Sequence, residues 1–408
     1  MSLPKDLLRS SCIGQSVRRI NPAKRSYRPQ CQRRHFSRSE PFSAASGYSA
    51  ELTASEIETA RTYCVNLLRK YDRPAYTLST FIPPHTNSFY LALRALNVSL
   101  SMIPDTTSTP TIGMMRLQFW RDAITRTFAG TPPKEPIALL LASALSDLDT
   151  RTKGSARISK IWMIRMINAR EQYLTNAPYP SLASLESYAE HTYSTLMYLT
   201  LSALPLTSLT ADHLASHIGK AAGIAAVLRG LPLVAFPPPP NHHSNQGGLG
   251  GGGGGTRQGA ITLPLDVMAE AGVKEEDVFR HGAGAPGLRD AVFTVATRAS
   301  DHLITARQML KNLRAGEDVG HDFEHRDEDE HQYPGDVGDA TGATGQPNHK
   351  LQLEEVERGF GVLLPAVTTS MWLDRLQKVD FDIFKPELLT SDWRLPWKAY
   401  LAHKRRTF

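Results

Sequence analysis

Apolar residues follow the helical period along most of the chain from residue 55 onward, and convincing runs with the two-residue period of a strand are hard to find. Ser55 and Glu58 form a capping-box pattern ahead of the apolar positions Ile57 and Ala60, which predicts a first helix there. Further helices are predicted at about 86–103, 111–129, 136–148, 157–174, 184–203, 210–230, 287–313, 351–378 and 392–404. The pattern therefore predicts one all-α domain over residues 51–404.

Two segments interrupt this pattern. Residues 236–258 include prolines at 237–240 and glycines at 250–255, without the Gly-Lys-Ser/Thr ending of a phosphate-binding loop. Residues 316–350 combine Asp, Glu and Gly with His321, His325 and His331, for which a flexible acidic tract is favoured over a metal site. Both compositions offer little to bury, so we expect disordered insertions in loops that connect helices.

The formal charge of +6 is unevenly distributed along the chain. Residues 1–39 hold ten basic side chains and one acid, whereas the remainder holds 36 basic and 39 acidic side chains. The first segment is rich in Arg and Ser and has no long apolar stretch, which predicts a mitochondrial transit peptide over residues 1–39. A disordered basic tail that binds nucleic acid or anionic lipid is the alternative. The charge of the remainder argues against nucleic acid as a partner.

Cysteine use and hydropathy add two constraints. Cys12 and Cys31 lie in the predicted transit peptide, which leaves Cys64 alone in the rest and permits no intramolecular disulfide there. No run reaches the ~18 consecutive apolar residues of a spanning helix. We therefore expect a protein that touches a membrane without crossing it.

Four segments carry the chemical information: 89–105, 116–121, 219–230 and 261–266. In this order they resemble the squalene/phytoene synthase superfamily, over roughly residues 55–310. The resemblance implies an all-α, isoprenoid synthase-like helical bundle. It also implies two facing helices that each carry two aspartates four residues apart, which would lie on one helix face and bind the Mg²⁺ ions that hold a diphosphate.

Most of these acids are missing from this chain. The first aspartate pair corresponds to Ser101 and Asp105, and the second pair corresponds to Gly230 and Val234. A serine hydroxyl is a poor replacement for a carboxylate on Mg²⁺. The absence of three carboxylates of four predicts a non-catalytic member of the superfamily, with no metal and no cofactor.

Other positions of the ancestral site have also changed. The diphosphate-side arginine and the tyrosine before Leu-Pro, both implied by the resemblance, correspond to Ala260 and Thr262. Arg116, Arg121 and Arg229 remain and could line the ancestral cavity and hold an anionic lipid or isoprenoid head group, although ordinary ion pairing is the favoured interpretation.

A narrower resemblance involves residues 97–98, 111–120, 211–221 and 377–386. These segments are similar to a family of mitochondrial proteins that assemble respiratory complex I (NADH:ubiquinone oxidoreductase) at the matrix side of the inner membrane. This implies complex I subunits or assembly intermediates as partners, with peripheral contact to that membrane. The alternatives are a divergent prenyl-diphosphate transferase and an isoprenoid- or lipid-binding protein.

Three further groups have open or structural interpretations. In an extended segment Asp380 and Asp382 would lie opposite Phe381, which with Phe384 suits a docking edge, although a solvated turn is equally compatible. His213 and His217 are four residues apart, and a structural pair is favoured over metal ligands. Met114, Met115, Phe119 and Trp120 are interpreted as core packing on one helix.

Overall fold

The structure is a computed structural model, and it describes residues 53–408 except 155, 157, 207, 238–258 and 318–348. The predicted transit peptide at 1–39 lies outside the described residues, as do His321, His325 and His331. The described part contains α-helices and short 3₁₀ and π turns, with no strand. The predicted all-α class is therefore confirmed.

The helices follow one another through short connections. In chain order they are α1 Ala54–Tyr71, α2 Arg73–Leu78, α3 Pro84–Ser101, α4 Ile103–Thr106, α5 Pro110–Phe128, α6 Pro136–Thr152, α7 Lys160–Gln172, α8 Leu182–Ala189, α9 Thr195–Ser202, α10 Leu209–Ala235, α11 Leu265–Glu270, α12 Glu275–His281, α13 Leu288–Ala315, α14 His349–Arg358, α15 Phe360–Leu363, α16 Pro365–Lys378 and α17 Leu395–Arg405. A π-helical turn, Glu190–Ser194, joins α8 to α9.

Helix α10 is the centre around which the carboxyl-terminal half packs. It contacts α8, the π turn, α9, α13 and α16. Gly219 and Gly223 allow the close approach, because an added Cβ would lie 2.3 Å from Ser194 Oγ and 2.5 Å from Ala189 Cβ, respectively. Among the described residues α10 alone has the length and apolarity of a membrane-spanning helix, with mean hydropathy 1.5, and 56% of that window is buried by its neighbours. Its place in the core accounts for this apolarity.

Two hydrophobic cores divide the bundle. One is formed mainly by α1, α3, α5, α6 and α7, and includes Leu96, Leu117 and Leu141. The other is formed mainly by α8 to α10, α13 and α14 to α17, and includes Ile224, Val295 and Leu376. The carboxyl end of α3 lies between the two cores, which positions the candidate site described below.

The predicted helices are present, with three instructive differences. The capping box is formed by Thr53 and Glu56, not by Ser55 and Glu58, because the Thr53 hydroxyl accepts from the Glu56 amide and the Glu56 carboxylate accepts from the Thr53 amide. The helix predicted at 184–203 contains the π turn. The helix predicted at 351–378 is interrupted at Gly359 and at Leu364, and Pro365 begins the next helix.

The two predicted insertions lie largely outside the described residues. Of the first, at 236–258, the structure describes Phe236 and Pro237, and the Phe236 ring packs against Phe279 and Phe384 with centroid distances of 6.3 Å and 5.5 Å. Of the second, at 316–350, it describes the two residues at each end, next to α13 and α14. The two insertions, and disorder within them, stay predictions.

Candidate functional site

A cavity of about 90 Å³ lies between the two cores, at the carboxyl end of α3. Apolar, hydroxyl and aromatic side chains share its wall with one arginine. The lining residues are Leu100, Ser101, Pro104, Leu117, Arg170, Tyr173, Leu174, Asn176, Ala177, Tyr179, Tyr188 and Thr262. Ser101 and Thr262, both predicted from the sequence as positions of the ancestral site, therefore meet at one cavity.

Ser101 and Asp105 do not present a pair of ligands on one helix face. Helix α3 ends at Ser101, and a separate short helix, which begins at Ile103 and has Pro104 in its first turn, carries Asp105. The Ser101 hydroxyl donates to the Val98 carbonyl at 2.9 Å, whereas Asp105 is exposed and does not line the cavity. Residues 101 and 105 keep the spacing of four residues. The break between α3 and α4 removes the shared helix face on which two ligands could bind one metal ion.

The second degenerate pair lies at the end of α10. Gly230 has nothing within 4 Å of an added Cβ, so the position has room for a side chain that this sequence does not supply. Val234 is one turn further on, after Pro232, and its carbonyl accepts a hydrogen bond from the Ala260 amide at 3.2 Å. Val234 and Ala260 are thus neighbours, and none of these residues offers a carboxylate.

Arg170, which sequence reasoning missed, is the cation in the cavity wall. Its guanidinium donates to Tyr188 Oη at 2.6 Å and to Asn97 Oδ1 at 2.9 Å, while its Nε is buried without a hydrogen-bond partner. A signal for it exists in the sequence. Arg170 follows the buried Met166 and Ile167 by four and three residues, which places it on the inward face of α7.

Two more arginines, Arg94 and Arg229, belong to the same interior, although neither lines the cavity. Arg94 on α3 pairs with Asp72, the N-cap of α2, and both side chains are largely buried. Burial opposes the charge of Arg94 most strongly, but Asp72, Tyr90 and Tyr193 together raise the pKa of the guanidinium. Arg229 on α10 lies over the Trp372 ring at 5.6 Å, and its Nε is buried without a hydrogen-bond partner.

The three arginines share Tyr193, in the π turn, as a neighbour. Burial lowers the pKa of Arg229, and the charges of Arg375 and Arg94 lower it further. Within the described residues Asp72 is the carboxylate that acts on both Arg94 and Arg229. The interior around the cavity therefore has an excess of positive charge, which repels divalent cations and favours anions. These residues do not fit Mg²⁺.

Arg116 and Arg121, for which ion pairing was the favoured interpretation, also lie outside the cavity wall. Arg116 is exposed and donates to Thr106 Oγ1 at 2.9 Å. Arg121 forms an ion pair with Glu171 and donates to Asn168 Oδ1 at 2.9 Å, between α5 and α7. Neither residue lines the cavity.

The interpretation of the methionines on α5 as core residues is wrong. Trp120 is buried, but Met114, Met115 and Phe119 are 52%, 68% and 46% exposed. The buried face of α5 instead contains Gly113, Leu117 and Trp120 with Ile124, at the helical period. Apolar residues on both faces of a helix hide which face is buried, so the sequence pattern alone was ambiguous.

The segment with Asp380, Phe381, Asp382 and Phe384 forms a turn, the second of the two arrangements that the sequence left open. Asp380 and Phe381 have positive φ angles of 53° and 55°. Arg289 on α13 pairs with Asp380 at 2.7 Å, and the Phe381 ring packs against Phe293. The segment is thereby attached to its own fold.

The two histidines of α10 belong to a buried polar chain. His217 Nδ1 lies 3.0 Å from His302 Nδ1, and His302 Nε2 lies 2.7 Å from Glu186 Oε1. The ring of His213 is 5.2 Å from that of His217. In the part of the chain that the structure describes, no three His, Cys, Asp or Glu side chains are placed to hold a metal ion. These polar contacts connect α8, α10 and α13, so the histidines have a structural role.

Solved structures with the same fold are synthases. A dehydrosqualene synthase in complex with ligand superposes with a TM-score of 0.59 at 12% identity and covers 86% of this chain and 98% of that chain. The squalene synthase HpnC from Alicyclobacillus acidocaldarius gives 0.53 at 13% identity, over 82% and 99% of the two chains. At these identities the likeness defines an isoprenoid synthase fold and nothing about activity.

Sequence comparison defines the family. The profile described as squalene/phytoene synthase matches residues 68–320, more than half of the chain. The chain belongs to the squalene/phytoene synthase family.

Relatives of this chain are named as assembly factors, whereas the family itself is named after synthases. "NADH dehydrogenase (ubiquinone) complex I, assembly factor 6" of Rattus norvegicus is 32% identical over 86% of this chain and 84% of its own length. The Homo sapiens protein of the same name is 31% identical over 85% and 82%. The Drosophila melanogaster homolog is 34% identical over 60% and 67%.

Proposed function

We propose that this protein is a non-catalytic assembly factor for mitochondrial respiratory complex I, acting at the matrix side of the inner membrane. The names of its relatives support the assembly role, since the similarity extends over most of both chains. The predicted transit peptide at 1–39 supports the location. Its partners are then complex I subunits or assembly intermediates.

The charge of the interior is the observation that carries the non-catalytic part of this proposal. Ionisation of a prenyl diphosphate in this fold requires carboxylates that hold divalent cations. Here Arg94, Arg170 and Arg229 surround the region, and the ancestral carboxylate positions are Ser101, an exposed Asp105, Gly230 and Val234. Such a site lacks the groups that would neutralise a leaving diphosphate through a metal.

The size of the cavity supports the same conclusion. A cavity of roughly 150 Å³ holds one benzene molecule. The present cavity of about 90 Å³ is smaller, and a prenyl chain of fifteen carbons is much larger than benzene. Prenyl transfer would need a larger space at this wall, which the buried side chains of Leu100, Leu117 and Leu174 line.

Complementation of a deletion strain tests the proposal. Deletion is expected to reduce assembled complex I on native gels, and the wild-type chain is expected to restore it. Asp105→Asn should restore complex I to the same level, because the proposal gives this last ancestral acid no chemical role. The purified full chain should show no turnover of prenyl diphosphates with Mg²⁺.

Two results would overturn the proposal. Normal complex I in the deletion strain would remove the assembly role. Loss of complementation by Asp105→Asn, at a normal protein level, would restore the divergent transferase as the better explanation. Ser101→Ala is the matched control, since the hydroxyl bonds its own helix and its loss is expected to leave complementation unchanged.

A second candidate function is binding of the anionic head group of an isoprenoid or lipid, with the apolar chain of that ligand outside the cavity. The buried, unpartnered Nε of Arg170 at the cavity wall favours it, because a buried donor without a partner is costly unless a ligand accepts from it. Native mass spectrometry of the full chain should then show a co-purified anionic lipid. Arg170→Met should lose it, and the exposed Arg165→Met on the same helix should keep it.

A further inference from the structure

The carboxyl-terminal helix α17 has a face that its fold does not cover. Leu395, Ala399 and Ala402 are 8%, 0% and 9% exposed, so they form the buried face of the helix. Trp397, two residues after Leu395, points away from that face. Its side chain is 68% exposed.

The outward stripe is aromatic over almost its whole length. Tyr400 and Leu401 follow Trp397 by one turn and are 50% and 44% exposed. Trp393 precedes Trp397 by four residues, just before the helix, and is 76% exposed. Trp393 is the most exposed of the large hydrophobic side chains in the described residues, and Trp397 equals Met115 in second place. Exposed aromatic stripes of this kind mark interaction sites.

Basic side chains surround the stripe. Arg394, Lys398, Lys404 and Arg405 are all exposed. Within the described residues none of them forms an ion pair, and Arg394 instead lies 5.5 Å from the centroid of the Trp393 ring. Over residues 391–408 the side chains include five Lys or Arg and one acid, Asp392. The partner of this face must therefore accept aromatic rings and a strong positive charge together.

We propose that the face formed by Trp393, Trp397, Tyr400, Leu401, Lys398 and Lys404 docks on the surface of an anionic phospholipid bilayer. Tryptophan and tyrosine prefer the membrane–water interface, where the ring is apolar and its polar group stays hydrated. Lysine and arginine interact favourably with anionic head groups, and α17 would lie in the plane of the interface as an amphipathic helix.

A second exposed apolar patch in the molecule provides the contrast. Ile112, Met114, Met115 and Phe119 on α5 are exposed but contain no tryptophan or tyrosine. Methionine-rich surfaces are typical of adaptable protein contacts. The aromatic and basic composition of α17 is what favours a membrane for that face, and the α5 patch supplies a matched control.

Vesicle flotation of the full chain tests the proposal. The wild-type chain should float with phosphatidylcholine vesicles that contain cardiolipin, and much less with phosphatidylcholine alone. Trp393→Ala with Trp397→Ala should abolish most of the flotation. Lys398→Gln with Lys404→Gln and Arg405→Gln should weaken partitioning by about fivefold for each charge removed. The basic segment at 1–39 is unchanged in every variant, so a difference between variants reports on α17.

Fluorescence adds a second measurement that does not depend on the basic segment. Trp393 and Trp397 should shift to shorter wavelength on cardiolipin vesicles and be quenched by brominated lipid, and the double alanine variant should lose both signals. Met114→Ala with Met115→Ala should keep flotation and fluorescence. Unchanged flotation in both α17 variants would overturn the proposal. Binding to vesicles by α17 variants that no longer bind a protein partner in cells would also overturn it.

The inference rests on the proposed function only for the identity of the membrane that α17 contacts in the cell. Vesicle binding by α17 in a chain that has no effect on complex I would remove the assembly role and leave the docking surface. Loss of complex I on deletion, together with unchanged flotation of both α17 variants, would remove the docking surface and leave the assembly role.

Discussion

The interior of the bundle and the face of α17 place positive charge in opposite settings. Inside, Arg170 and Arg229 have buried Nε atoms without partners, and Arg170 lines a cavity too small for a prenyl chain. Outside, Lys398 and Lys404 are fully hydrated beside exposed aromatic rings. A buried unpaired charge costs stability, whereas an exposed one costs little and is available for binding. The comparison suggests that the binding chemistry of this chain lies on its surface, although its fold is that of enzymes which work in the interior.

The largest effect is expected where the interior is packed most closely. Gly219→Val should lower the free energy of unfolding by about 3 kcal/mol or more, because even a Cβ would lie 2.3 Å from Ser194 Oγ. Urea unfolding of the full chain measures it. Gly230→Ala is the matched control on the same helix, with open space at the Cβ, and should stabilise by about 0.5 kcal/mol. Equal effects at both positions would contradict the packing described for α10.

The paired arginine of the interior should come next. Arg94→Met is expected to lower the free energy of unfolding by about 3 kcal/mol, because it leaves the largely buried Asp72 carboxylate without its partner. Urea unfolding at neutral pH measures this. Double replacement with Asp72→Asn should recover part of the loss. An unchanged stability would mean that the ion pair is solvated.

The unpaired arginine of the interior should behave in the opposite way. Arg229→Met is expected to raise the free energy of unfolding by about 1–2 kcal/mol, because it removes a buried charge that burial and two other arginines disfavour. Thermal and urea unfolding measure the gain. A loss of stability would indicate that an anion held by Arg229 contributes to the fold, and would favour the ligand-binding candidate.

A buried acid on α10 gives a pH-dependent test. Burial raises the pKa of Asp212 from 3.8 to about 6, so the folded state favours the protonated carboxyl. The contribution of Asp212 to the free energy of unfolding is therefore most favourable below pH 3.8, where the carboxyl is protonated in both the folded and the unfolded state. It is lost as the pH rises through about 6. Asp212→Asn should therefore stabilise by up to about 3 kcal/mol at pH 7 and by nothing at the acid end.

Asp290 supplies the control for that pH dependence. It is exposed and also lies in the first turn of a helix, α13, where a carboxylate is favourable. Asp290→Asn should give no stabilisation at pH 7. A gain of the same size at both positions, measured by urea unfolding across the pH range, would refute the role of burial at Asp212.

The smallest effect on stability is expected at the surface. Trp393→Ala with Trp397→Ala should change the free energy of unfolding by less than about 0.5 kcal/mol, because neither ring is buried. The same two substitutions are those expected to abolish vesicle binding. A large loss of stability would show that these rings pack against the fold, and the contrast between interior and surface would then fail.

The sequence by itself determined the helical class, the positions of most helices and the identity of the degenerate residues. Helical periodicity is a local property, so α1, α5, α6, α10 and α13 could be predicted to within a few residues. The replacement of carboxylates at Ser101, Gly230 and Val234 is likewise a matter of which residues are present.

Only the tertiary structure decided what surrounds those residues and which side chains face water. Arg94, Arg170 and Arg229 are far apart in sequence and converge on Tyr193 because three helices and a π turn meet there. The sequence also did not show that Met115 and Trp397 are exposed, because the identity of an apolar residue does not tell which face of its helix is buried. Charge, burial and exposure depend on neighbours from distant parts of the chain, and these exist only once the helices have packed.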